Sequence, residues 1–134
     1  MTMYAFEEYL TEPKAITFNE MQDLHSDMLS EIGNDADAVE LYEDLIDTAL
    51  KYAEIRARWM RLSREEKMDI DPLRTSHHDS LITHFNMLAR CLRMQGKEAA
   101  WRDQLGYEED DRYNRKKIGD FGCYIVFVNS LGVR

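Results

Sequence analysis

Four histidines, two cysteines and twenty-six carboxylates are the groups in this 134-residue chain that could bind a metal, move a proton or meet a charged partner. His77, His78, Asp79, His84 and Cys91 fall within one stretch, and His25 stands apart. A chelate on one helix needs donors three or four residues apart, because only those side chains stack one above another. His77, His84 and Cys91 recur at every seventh residue, which at roughly 1.5 Å rise per residue separates neighbours by about 10 Å. One ion cannot be shared across that gap, and the sequence calls for no metal and no cofactor. His78, Asp79 and Asp120 are the set that would suit a small helical metal-dependent hydrolase, which stands as the alternative reading. His25 and His78 both lie on apolar stripes, where a neutral core histidine with a hydrogen-bond partner is the plainer account.

Two charges occupy positions where apolar residues are expected. Arg56 falls in the middle of an apolar helical stripe, and Asp120 is the one acid in an otherwise apolar C-terminal segment. A buried isolated charge costs several kcal/mol, on the order of a small protein's whole stability, so each needs an opposite partner. The pattern therefore predicts that Arg56 and Asp120 meet, with His78 beside them, in a buried polar network. Such a trio either fixes helix register or forms a small active site. No nucleophile, glycine-rich phosphate loop or metal pair accompanies it, which favours register.

Charge is unevenly divided along the chain. Residues 1–50 hold thirteen acids and one base, whereas residues 51–134 hold thirteen acids and sixteen bases, for an overall charge of −9. Glu40, Glu43, Asp44 and Asp47 form a stripe opposite the apolar face of their helix, with like charges at spacings three and four. Three readings follow: a docking surface for a basic protein partner, a solvated face near a helix N-terminus, which favours acids in any case, or a carboxylate metal site, against which the outward-pointing acids and the lack of a Glu-x-x-His pair count. The acidic half repels phosphates and is not expected to bind nucleic acid directly. A second cluster, Arg112, Arg115, Lys116 and Lys117, follows directly on Glu108, Glu109, Asp110 and Asp111, so internal neutralisation explains it without a ligand.

These groups need helices to hold them. Thr17 with Glu20 is a capping box that starts a helix at Phe18, and Gly33 stops it. Asp37 with Glu40 begins a second, strongly amphipathic helix running to about Leu62. Ser63 with Glu66 caps a short helix over residues 64–69, which Asp71-Pro72 is expected to break before Ser76 caps a third long helix, His77 to Gln95. Gly96 ends that helix, and a short one follows around Trp101. The segment Arg112 to Leu131 contains the β-branched run Cys123 to Val128, but no other segment resembles a strand that could pair with it. It is therefore predicted as a central helix, with Gly119 and Gly122 allowing neighbours close. Tyr4 to Leu10 is expected to form a further short helix, and Tyr107 to Asp111 an acidic connector.

The fold class this implies is all-α: one helical domain spanning residues 1–134, a bundle of three to four main helices with short connecting ones. Six glycines and two prolines are too few for a turn-rich β-sandwich, and no apolar run approaches a membrane span. Two distant cysteines suit free thiols in a reducing, cytoplasmic setting. From Arg74 onward the chain resembles an uncharacterised family of small helical bacterial proteins, through Arg74-x-x-x-His78, Trp101-Arg102-x-x-Leu105-Gly106 and Arg115-Lys-Lys-Ile-Gly-Asp-Phe-Gly-Cys-Tyr124. The resemblance covers less than half the chain and implies no activity, cofactor or catalytic residue. Size and charge together point to a non-enzymatic acidic interaction protein of the immunity, antitoxin or inhibitor type, with Glu40, Glu43, Asp44 and Asp47 meeting a basic partner.

Overall fold

Local capping decides where most of the helices begin. The computed structural model describes residues 14–59, 61–106 and 112–130, the side chains of residues 112–115 and 130 excepted. The expected helix at Tyr4 to Leu10 and the connector Tyr107 to Asp111 lie outside the described residues. Helix α1 spans Phe18–Ile32 and α2 Ala36–Trp59, followed by α3 at Arg64–Met94, α4 at Ala100–Gln104 and α5 at Arg112–Ser130. Thr17 and Ser63 each accept a hydrogen bond from the backbone amide three residues on, while Glu20 and Glu66 reach back, completing both capping boxes. Gly33, at φ +51, ends α1 and donates its amide to Leu29.

Two boundaries differ from the sequence expectation. Asp35, rather than Asp37, starts α2: its Oδ2 accepts the Ala38 amide at 2.9 Å. And Pro72 does not break the chain, since α3 is one 31-residue helix with the proline inside it, so Ser76 is not a cap. Proline removes an amide that would have reached the carbonyl of Met68. Met68 is 70% exposed, where water can satisfy that carbonyl. Residues on either side of Pro72 are held by tertiary contact, with Lys67 5.7 Å and Arg74 4.3 Å from the centre of the Trp59 ring. At about 0.5–1 kcal/mol each, those contacts offset part of the roughly 3 kcal/mol an interior proline costs.

α2 and α3 form an antiparallel pair, in which Asp35 meets Gln95, Tyr52 meets His78 and Trp59 meets Arg74. α5 lies antiparallel to α2, pairing Tyr42 with Asn129 and Arg56 with Asp120. α1 covers α5 through Phe18 and His25, both edge-on to Tyr124. The C-terminal run that could have been a strand is helical, and Phe121 to Phe127 is buried throughout, forming one apolar cluster with Met21, Met28, Leu45, Phe85 and Leu88. Glu31 anchors the far corner. Its carboxylate accepts the Trp101 indole N–H at 2.8 Å and the Ala99 amide at 3.0 Å. Ala99 has the left-handed φ of +49, which that bond helps to hold.

The two interior glycines of α5 are close-approach points. A Cβ on Gly119 would lie 2.8 Å from the Tyr52 hydroxyl and 3.2 Å from its ring, and one on Gly122 would lie 2.7 Å from a Leu81 methyl. Alanine at position 119 improves helix propensity by about 1 kcal/mol, but overpacking against a rigid buried ring costs about 1–3 kcal/mol. Gly119→Ala is therefore expected to lower stability by up to about 2 kcal/mol in urea unfolding. A variant more stable than the parent, keeping the helix-propensity gain of about 1 kcal/mol, would contradict the close packing.

Candidate functional site

The carboxylates of the acidic stripe point to solvent because the opposite face of α2 is pinned. Ala38, Leu45, Ala49, Tyr52 and Ala53 are buried, and at 100° per residue Glu40, Glu43, Asp44 and Asp47 fall on the arc facing away from them. All four are exposed. None of them forms an ion pair among the described residues.

Tyr42 adds a polar anchor to that rotation. His25 Nε2 and the Tyr42 hydroxyl share a hydrogen bond at 2.8 Å, and the hydroxyl oxygen accepts from Asn129 Nδ2 at 3.1 Å. Asn129 Nδ2 also donates to the Ile125 carbonyl at 2.9 Å, so the chain of bonds runs from α1 through α2 to α5. Burial among Tyr42, Phe121 and Tyr124 lowers the His25 pKa from 6.5 to about 4. His25 is thus neutral near pH 7, and a core residue.

The interior charge lies at the other end of α2. Asp120 is fully buried, and its Oδ1 accepts from Arg56 Nη2 in a close ion pair. Its Oδ2 accepts the Ala15 amide at 2.7 Å. Arg56 Nη1 reaches the Cys123 sulfur at 3.9 Å, a weak bond. His78, 8% exposed, packs edge-on against the Tyr52 ring with centroids 5.2 Å apart. The Tyr52 hydroxyl lies against Gly119, next to Asp120 in the chain. Burial raises the Tyr52 pKa, which keeps the phenol protonated. Tyr52 therefore joins His78 to the neighbourhood of the ion pair, a role that sequence spacing could not assign, because tyrosine on an apolar stripe reads as core.

Asp79 goes elsewhere. It is exposed and lines a shallow groove on α3 with Pro72, Ser76, Ser80 and His84. His84 Nδ1 donates to the Ser80 carbonyl at 2.8 Å. His78, Asp79 and Asp120 do not converge: among the described residues no three His, Cys, Asp or Glu side chains are grouped so as to hold a metal ion. Of the basic cluster, Lys116 is exposed and Lys117 half-buried, while the side chains of Arg112 and Arg115 lie outside the described residues. Cys91 is half-buried, Cys123 is buried, and both are free thiols. No helix among the described residues is long and apolar enough to cross a membrane. Comparison with protein-family models, with curated proteins and with solved structures found no match.

The His25 environment has a measurable consequence. As pH falls below about 6.5 the unfolded chain takes up a proton that folded His25 refuses until about pH 4, so its contribution to stability is lost progressively across that window. His25→Gln keeps a hydrogen-bonding side chain and removes the titration. Unfolding free energies measured at intervals from pH 7 to pH 4 should decline less steeply for the variant. Parallel curves for the two proteins would contradict a neutral, buried imidazole.

Proposed function

We propose that this protein acts without catalysis, as an acidic interaction protein whose α2 face docks on a basic macromolecular partner. Glu40, Glu43, Asp44 and Asp47 are the residues assigned to that contact. The observation that carries the reading is that four exposed carboxylates share one face and have no ion pair among the described residues. Like charges three and four residues apart on a helix repel by a few tenths of a kcal/mol per pair. A partner's lysines or arginines would relieve that repulsion and accelerate encounter. Immunity proteins, antitoxins and inhibitors of nucleic-acid enzymes share this size and charge profile, an analogy of type alone. Nothing in the placement of His78, Asp79 and Asp120 favours the hydrolase reading.

The test is to recover the native protein with its bound partner, identify that partner by mass, and measure affinity against ionic strength. Affinity should fall as salt rises, and Glu43→Lys combined with Asp47→Lys should weaken binding by at least about tenfold while the fold is retained. Binding indifferent to both salt and charge reversal would contradict docking through this face.

A further inference from the structure

A second surface, on the side of α3 turned away from the core, has the opposite chemistry. Between α3 and α4 lies a half-open groove of about 850 Å³ bordered by Asn86, Met87, Arg90, Arg93, Met94 and Arg102. Arg102 forms its floor. It is 4% exposed, and donates from Nε to Asn86 Oδ1 and from Nη1 to the Gly106 carbonyl, both at 2.6 Å. Arg93 is held by the Glu98 and Ala99 carbonyls and pairs with Asp103 at 3.1 Å, so it too is positioned before any ligand arrives. Arg90 is exposed and has no ion pair among the described residues. Among the described residues, three guanidiniums and one carboxylate border the groove.

The rim is apolar. Met87 is 46% and Met94 82% exposed, one full heptad apart along α3 with Arg90 between them. An unbranched thioether left in water is an adaptable apolar contact, and arginine and methionine are two residue types that protein interfaces enrich. Lysine, which interfaces deplete, is absent from the lining.

We propose that this groove binds an acidic peptide segment of another protein, its carboxylates on Arg90 and Arg93 and its aliphatic side chains on Met87 and Met94. The fixed guanidiniums supply direction and the methionines supply contact area. This surface is distinct from the acidic face of α2 and does not rest on it. Either can fail without the other.

The methionine ε-methyl groups are the natural probes. The full chain, labelled at those methyls, is titrated with a synthetic peptide of alternating glutamate and leucine, and separately with one of alternating lysine and leucine. The acidic peptide should move the Met87 and Met94 signals and leave Met68, 70% exposed but outside the groove, in place. Arg90→Glu should weaken that binding by about tenfold, and the lysine peptide should bind no better to the parent than the acidic one does to the variant. Because Glu108, Glu109, Asp110 and Asp111 follow Gly106 closely in the sequence, the titration is repeated with these four replaced by their amides. Binding seen with the native run in place supports an external partner, and binding seen only after its neutralisation overturns it. Equal movement of Met68, equal response to both peptides, or no response at all would also overturn the proposal.

Discussion

A carboxylate in a hydrocarbon interior must be answered by charge or hydrogen bonds, and the answer to Asp120 organises the molecule. Its two oxygens engage Arg56 on α2 and the backbone amide of Ala15, just before α1. Three segments far apart in sequence therefore have to arrive together, or a charge is left unpaired at a cost of several kcal/mol. Apolar packing alone would tolerate α5 sliding or rotating in its channel, because its surface from Phe121 to Phe127 is buried nearly all round. The ion pair and the close approaches at Gly119 and Gly122 remove that freedom.

The outward display of α2 follows from the same restraint. At one end Arg56 sets the rotation of the helix, and at the other Tyr42 does so through His25 and Asn129. With both ends held, Glu40, Glu43, Asp44 and Asp47 are turned away from the buried face of α2 and are exposed among the described residues. The interior polar groups join the helices, while carboxylates on α2 and guanidiniums and thioethers along α3 lie on the outside.

Much of the all-α fold was legible because its signals are local. Capping boxes at Thr17 and Ser63, the stop at Gly33 and the amphipathic period of α2 each depend on residues within a few positions of one another. What escaped depends on residues far apart. Pro72 sits inside a helix whose residues on either side, Lys67 and Arg74, both contact Trp59 on another element. Asp35 and Glu31 count as surface acids in the composition, yet Asp35 caps α2 and also accepts from Gln95, while Glu31 fastens Trp101 and Ala99. The acidic excess of the first half therefore overstates its free negative surface. Of the candidate site residues, Arg56 and Asp120 were conspicuous as charges in apolar company. Tyr52 was not, and nor was the groove on α3, whose floor residue Arg102 belongs to a different helix from its rim.

The central claim is that Arg56 and Asp120 stabilise the fold as a coupled pair, and a double-mutant cycle measures that coupling directly. Unfolding free energies are compared for Asp120→Asn, Arg56→Met and the double variant. Each single change should cost about 3–5 kcal/mol, because it strands the other group in the interior. The double change should cost clearly less than the two losses combined. Strict additivity would mean that the two side chains do not interact, and the account of how this bundle is held in register would fail.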